Sequence, residues 1–210
     1  MNLPNAVTTL RVVLAPVVAA LLLRPSAEAR LIGFLVFLLA ALSDLWDGEL
    51  ARRRGQITDF GKLVDPIADK LLLAVTLIPF YLVTRRDPVL GGLPIFDGFP
   101  LWALLVFLAR ELLITGLRMA AVRLGRVVPA GPSGKLKALA QNIFIGAMIL
   151  WLAFRAAAVQ QGWSGGLAQG WEAFHGWFTT LGLVVALTLT VYSMGVYLFG
   201  FQRLFAGKAA

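Results

Sequence analysis

SDLWDGELARRRGQITDFGKLVDPIADK, residues Ser43 to Lys70, is a charged interruption in a chain that is otherwise mostly apolar. It holds six of the chain's 11 carboxylates. Asp44 and Asp47 are three residues apart, and Asp65 and Asp69 are four apart. On a helix either spacing stacks side chains on one face. Gly48 and Ala51 continue the first face, and Gly61 precedes the second by one turn. These small residues let another group approach the backbone. Charged groups in a membrane chain are costly and functional by default. Four carboxylates together repel one another in a low dielectric unless a cation or a proton sits among them.

The flanks of this stretch decide the fold class. Hydrophobic residues make up 59% of the 210-residue chain and charged residues 14%, against about 25% charged in an average soluble domain. The mean hydropathy is +0.81. Six apolar spans emerge at Asn5–Leu23, Leu31–Leu50, Gly61–Thr84, Leu101–Val122, Leu136–Phe154 and Phe178–Phe201. Each is close to the ~20 residues that cross a bilayer. Lipid offers no partner to loose backbone groups, so each span is predicted to be helical. The expectation is an all-α integral membrane protein with six transmembrane helices, forming a single domain over residues 1–210. Val12–Leu23 is read as a retained first helix. No Lys or Arg precedes it and Arg11 lies inside it, whereas a cleaved signal has a positive leading region.

The formal net charge is +8. In a membrane chain, positive loops stay in the cytoplasm. Arg52, Arg53, Arg54 and Lys62 join spans two and three, Arg123, Arg126, Lys135 and Lys137 lie between or at the ends of spans four and five, and Arg203 and Lys208 end the chain. The opposite loops hold fewer cations. Both termini and the 52–62 loop are therefore predicted to face the cytoplasm, in the inner (plasma) membrane. Nucleic acid is not an expected partner, because no basic helix or aromatic ladder lies outside the apolar spans. The absence of cysteine excludes disulfides, thiolate metal sites and a cysteine nucleophile.

Two loops on the far side, Arg85–Pro100 and Gln160–Gly176, are rich in glycine and read as turns or surface pieces. His175, the one histidine, is read as an interfacial residue, and Trp163, Trp171 and Trp177 as an aromatic belt.

A carboxylate-rich, all-oxygen site selects hard cations such as Mg²⁺, Mn²⁺ or Ca²⁺. Two metals on shared aspartates suit phosphoryl transfer, and the neighbouring arginines suit phosphate. The competing reading is a set of interfacial salt bridges to Arg52, Arg53, Arg54, Lys62 and Lys70. It does not explain the small residues on both carboxylate faces. A divalent-cation channel is a distant alternative, since the acids cluster at one side of the membrane rather than across it.

The pattern Asp44-x-x-Asp47-Gly48-x-x-Ala51-Arg52, eight residues, Gly61-x-x-x-Asp65-x-x-x-Asp69 resembles the signature of the CDP-alcohol phosphatidyltransferases. That resemblance implies transfer of a phosphatidyl group from a CDP-linked lipid to an alcohol, with release of CMP. It implies that Asp44, Asp47, Asp65 and Asp69 hold two Mg²⁺ or Mn²⁺ ions, and that Asp69 is also the general base on the acceptor hydroxyl. Gly48, Ala51, Arg52, Thr58 and Gly61 match positions at the CDP moiety. It further implies a homodimer among membrane lipids.

Other stretches bear on the acceptor. Asn5, Thr8 and Arg11 sit at helical spacing and are read either as a cap with an interfacial arginine or as contacts to the CDP-lipid. Arg110 and Arg118 share a helix face, and Lys135 and Lys137 open the fifth span. These four are read as a cradle for an acceptor phosphate, with simple ion pairing of Arg110 and Glu111, or plain topology for the lysines, as the alternatives. Together with the opening NLPN and the Gly134–Gln141 stretch, they resemble the branch of the family whose donor is CDP-diacylglycerol and whose acceptor is glycerol 3-phosphate. Branches that accept phosphatidylglycerol or an inositol phosphate are the alternatives.

Overall fold

Apolar runs leave the backbone no partners but its own carbonyls, and the chain folds accordingly into helices. The computed structural model describes the backbone of residues 3–54, 59–125 and 131–206, and the side chains of residues 9–43, 70–87, 89–125 and 131–203. Six long helices run through it: α1 (Leu3–Leu22), α2 (Ala27–Arg54), α3 (Asp59–Arg86), α5 (Leu101–Arg123), α6 (Pro132–Gln161) and α7 (Gly166–Ala206). A single turn, α4 (Pro88–Gly91), follows α3. Each long helix covers one of the six expected apolar spans. The charged stretch is itself helical on both sides of residues 55–58, so α2 and α3 reach 28 residues each, about 42 Å at 1.5 Å per residue. Within the described residues, Pro132–Gln161 and Gly166–Arg203 are long and apolar enough to cross a membrane, and Thr9–Leu22 is a shorter apolar helix. In α5 the apolar run is interrupted by Arg110, Glu111 and Arg118.

The helices close into a ring. α1 packs between α2 and α3; α2 lies on α6, α6 on α7, α7 on α5, and α5 returns to α3. Phe144 of α6 sits inside this ring. Its ring stacks on Phe99 and Phe107 at 5.8 and 6.3 Å and meets Phe80 edge-on at 6.4 Å. All four rings are buried. Each aromatic pair adds roughly 0.5–1.5 kcal/mol to such a core.

The end of the bundle away from the aspartates is pinned by polar contacts. Ser26 caps α2 by accepting from the Ala29 amide at 3.2 Å. Arg30 donates to the Leu152 carbonyl of α6 at 3.0 Å. Arg155 donates to the Glu172 carboxylate of α7 and to the Val89 carbonyl of α4, and lies over the Trp151 ring.

One expectation is corrected here. The segment Gln160–Gly176 is not a long loop. Gly162, left-handed at φ 62°, ends α6, and α7 begins at Gly166. Trp171, Phe174, His175 and Phe178 recur at helical spacing, which outweighs the glycines among them. His175 is correspondingly not an interfacial side chain. It is 5% exposed, its Nε2 lies 3.1 Å from the Ala147 carbonyl, and Trp151, Phe154 and Trp171 surround its ring. Gly176 allows this approach, because a Cβ there would meet the Trp151 side chain at 3.2 Å.

Candidate active site

The signature occupies the ends of two helices that pack on the same third helix, α1. Asp44, Asp47, Gly48, Ala51 and Arg52 lie in the C-terminal part of α2, and Gly61, Asp65 and Asp69 in the N-terminal part of α3. Asn5 and Thr8 lie in the first turns of α1, which packs against both helices. The side chains of these ten residues, and all of Thr58, lie outside the described residues. Among the described residues no three His, Asp or Glu side chains gather as a metal site.

A small polar cavity of about 150 Å³ is lined by Ala41 and Lys70, which adjoin the signature in sequence. Five helices meet around it, and each contributes. Arg11 comes from α1, Ala41 from α2, Lys70, Leu72 and Leu73 from α3, Glu111 from α5, and Lys137, Gln141 and Asn142 from α6. Arg11 is 2% exposed and Lys137 5%. Among the described residues of this lining, three cations accompany one carboxylate, an arrangement that suits an anion.

Glu111 is the junction of the wall. Its Oε1 accepts from Arg110 Nη1 at 3.1 Å and from Lys137 Nζ at 2.5 Å. Arg110 also donates through Nη2 to the Ser193 hydroxyl at 3.2 Å, and that hydroxyl donates to the Thr190 carbonyl at 3.0 Å. Gln141 donates to the Thr190 hydroxyl at 3.2 Å. The network braces α5, α6 and α7 against one another at the depth of the cavity.

A second, larger space adjoins the first. It is a groove of about 880 Å³ between α2, α6 and α7, and it shares Ala41, Ala138 and Asn142 with the polar cavity. Along α6 it follows a stripe of Lys135, Leu139, Ile143, Gly146, Leu150 and Phe154. At 1.5 Å per residue that stripe is about 28 Å long, close to the ~30 Å of a bilayer's hydrocarbon core. Apart from Lys135, Asn142 and His175, its lining is apolar.

The four residues read as an acceptor cradle are divided by this geometry. Arg110 and Lys137 meet at Glu111. Arg118, two turns further along α5, is exposed with its guanidinium 5.6 Å from the Tyr197 ring centre. Lys135 faces the large groove. Two residues apart on a helix means about 200° of rotation, so Lys135 and Lys137 point to opposite sides. Lys70, Gln141 and Asn142 enter the cavity lining without having been singled out as site residues in the sequence. Two signals were available: Lys70 is next to Asp69, and Gln141 ends the Gly134–Gln141 stretch one turn from Lys137.

Residues 1–191 match the family model for CDP-alcohol phosphatidyltransferases. The chain belongs to that family. A probable phosphatidylglycerophosphate synthase of Mycobacterium tuberculosis (strain CDC 1551 / Oshkosh) is 39% identical over 152 residues, which cover 71% of this chain and 66% of that protein, just under two thirds of its length. A CDP-diacylglycerol–glycerol-3-phosphate 3-phosphatidyltransferase of Bacillus subtilis (strain 168) is 36% identical over 161 residues, covering 71% of this chain and 77% of that protein. A protein of the same name from Rickettsia typhi is 37% identical over 149 residues, covering 71% and 76%.

Proposed function

We propose that this chain transfers the phosphatidyl group of CDP-diacylglycerol to sn-glycerol 3-phosphate, forming phosphatidylglycerophosphate and CMP. The observation that carries the reading is the pairing of two adjoining spaces beside the aspartate signature. Among its described residues the polar cavity has three cations that suit a small phosphate-bearing alcohol, and the long apolar groove suits a lipid chain. The names of the relatives from Bacillus subtilis and Rickettsia typhi agree with both substrates.

Helical spacing connects the signature to the cavity. Ala41 lies three residues before Asp44, and Leu72 and Leu73 lie three and four after Asp69. All three line the cavity, so the faces that carry Asp44 and Asp69 continue into it. Asp44, Asp47, Asp65 and Asp69 are the residues that would hold two Mg²⁺ or Mn²⁺ ions, and an all-carboxylate donor set fits such hard cations. When bound, the ions supply neutralisation of the diphosphate and orientation of the reacting oxygens.

The chain's own residues do the rest. Asp69 takes the proton of the acceptor hydroxyl, and that oxygen bonds to the phosphorus carrying diacylglycerol as the bond to CMP breaks. Arg11 and Arg52, with Asn5, Thr8, Gly48, Ala51, Thr58 and Gly61, hold the CDP group. Arg110 and Lys137, which meet at Glu111, form the acceptor-phosphate cradle together with Lys70 of the same cavity lining. The six long helices cross the inner (plasma) membrane, with both termini and the aspartates on the cytoplasmic side, and two copies form a homodimer.

The test is an acceptor panel. Purified protein in detergent micelles with CDP-diacylglycerol and Mg²⁺ is expected to release CMP with glycerol 3-phosphate. Turnover only with phosphatidylglycerol or an inositol phosphate would transfer the chain to another branch of the family.

A further inference from the structure

The polar cavity and the apolar groove share Ala41, Ala138 and Asn142. Two of these are alanines, so the polar side chain at the seam is Asn142. It is exposed, and Leu139 and Gly146, three residues before and four after it, border it along the groove wall of α6. Among the described residues nothing bonds its amide. A polar group covered by apolar matter costs free energy unless it is hydrogen-bonded. An occupant that displaces water from this wall must therefore offer the amide a partner or bind weakly.

Position along the helices identifies that partner. Ala41 lies three residues before Asp44 and six before Asp47 on α2, about 4.5 and 9 Å along the axis. A diphosphate held at the aspartates thus sits one to two turns outward of the seam. In CDP-diacylglycerol the groups that follow the diphosphate toward the chains are the glycerol carbons and their ester carbonyls. Lys135 marks the same order on α6. It lies seven residues before Asn142, two turns away on the same face and about 10.5 Å nearer the start of the helix. From Lys135 through Asn142 to Ile143, Leu150 and Phe154 the groove wall runs cation, amide, apolar. A phospholipid runs phosphate, ester, chain.

We propose that Asn142 selects the linkage of the donor lipid: its amide N–H donates to an ester carbonyl of CDP-diacylglycerol at the head of the groove. The inference rests on the reading of that groove as the place of the donor chain. An ether-linked donor has no carbonyl and leaves the amide unpaired, and a site built to bond a substrate group rejects the analogue that lacks it.

The experiment uses the full chain in micelles with Mg²⁺ and glycerol 3-phosphate, and compares CDP-diacylglycerol with CDP-dialkylglycerol of equal chain length at equal mole fraction. CMP release gives kcat/KM for each donor, and calorimetry gives each Kd. The wild type is expected to favour the ester at least fivefold in both quantities. Asn142→Leu, which has the same branching and no polar atom, should bring that preference below twofold by weakening the ester donor. Asn142→Gln, which keeps the amide on a longer arm, should retain part of it. Equal use of both donors by the wild type overturns the proposal, as does an ester preference that survives in Asn142→Leu or an equal loss on both donors. Should Asn142→Leu not fold, Asn142→Ala is held to the same outcomes. If the wild-type chain releases CMP only with another alcohol, the acceptor named above is wrong, and the two donors are compared with that alcohol. If it binds neither donor and releases no CMP with any acceptor, the proposed function fails and this inference with it.

Discussion

Lys135 and Lys137 stand two residues apart at the start of α6 and belong to different spaces. The Lys137 ammonium meets Glu111 in the polar cavity, while Lys135 is exposed beside the apolar groove. The rotation of about 200° between them separates a cation of the polar cavity from one beside the apolar groove. Lys137→Gln is expected to raise the KM for glycerol 3-phosphate about tenfold with the donor KM unmoved. Lys135→Gln should leave the acceptor KM within twofold. Steady-state kinetics with each substrate varied in turn check both, and equal effects of the two substitutions would contradict the division.

The groove gives a steric prediction. A Cβ at Gly146 would reach Phe34 only at 3.5 Å, an ordinary contact, so Gly146→Ala should leave activity within about twofold. Gly146→Phe places a ring in the groove and is expected to raise the KM for long-chain CDP-diacylglycerol tenfold or more, and much less for a short-chain donor. A uniform loss with both donors would mean that the groove does not hold the chain.

The aspartates give a chemical prediction. Asp65→Ala should abolish turnover, at a loss of at least about a thousandfold. Asp69→Asn should retain CDP-diacylglycerol binding far better than turnover, because it removes a base and keeps the shape. EDTA should stop the reaction, and Mg²⁺ or Mn²⁺ should restore it. Radiolabelled CMP release together with donor binding by calorimetry separates these effects. Undiminished turnover in excess chelator would remove the metals from the proposal.

The core gives a stability prediction. Phe144 touches Phe80, Phe99 and Phe107 and is fully buried. Phe144→Ala leaves a cavity where α3, α5 and α6 meet, a change that typically costs about 3–5 kcal/mol. Thermal unfolding in detergent should show a Tm lowered by several degrees. A Tm equal to that of the wild type would mean that the surrounding helices collapse onto the vacated space.

Much of the fold was legible along the chain because an α-helix is a local object. Its hydrogen bonds close within four residues, and a continuous apolar run announces it. The six long helices lie on the six apolar spans for that reason. The start of α7 was not legible. Glycine and tryptophan between Gln160 and Gly176 signal a loop locally, and what makes the segment helical is contact: His175 against the Ala147 carbonyl and Gly176 against Trp151.

The site divides along the same line. The sequence by itself determined the family and the four aspartates of its signature, since residues three and four apart on a helix share a face whatever surrounds them. Only the tertiary structure decided that Arg11, Lys70, Glu111 and Lys137, drawn from four helices, line one cavity, and that Lys135 and Arg118 lie outside it. Spacing within a helix is a property of the backbone repeat, whereas the meeting of side chains from different helices depends on how those helices pack.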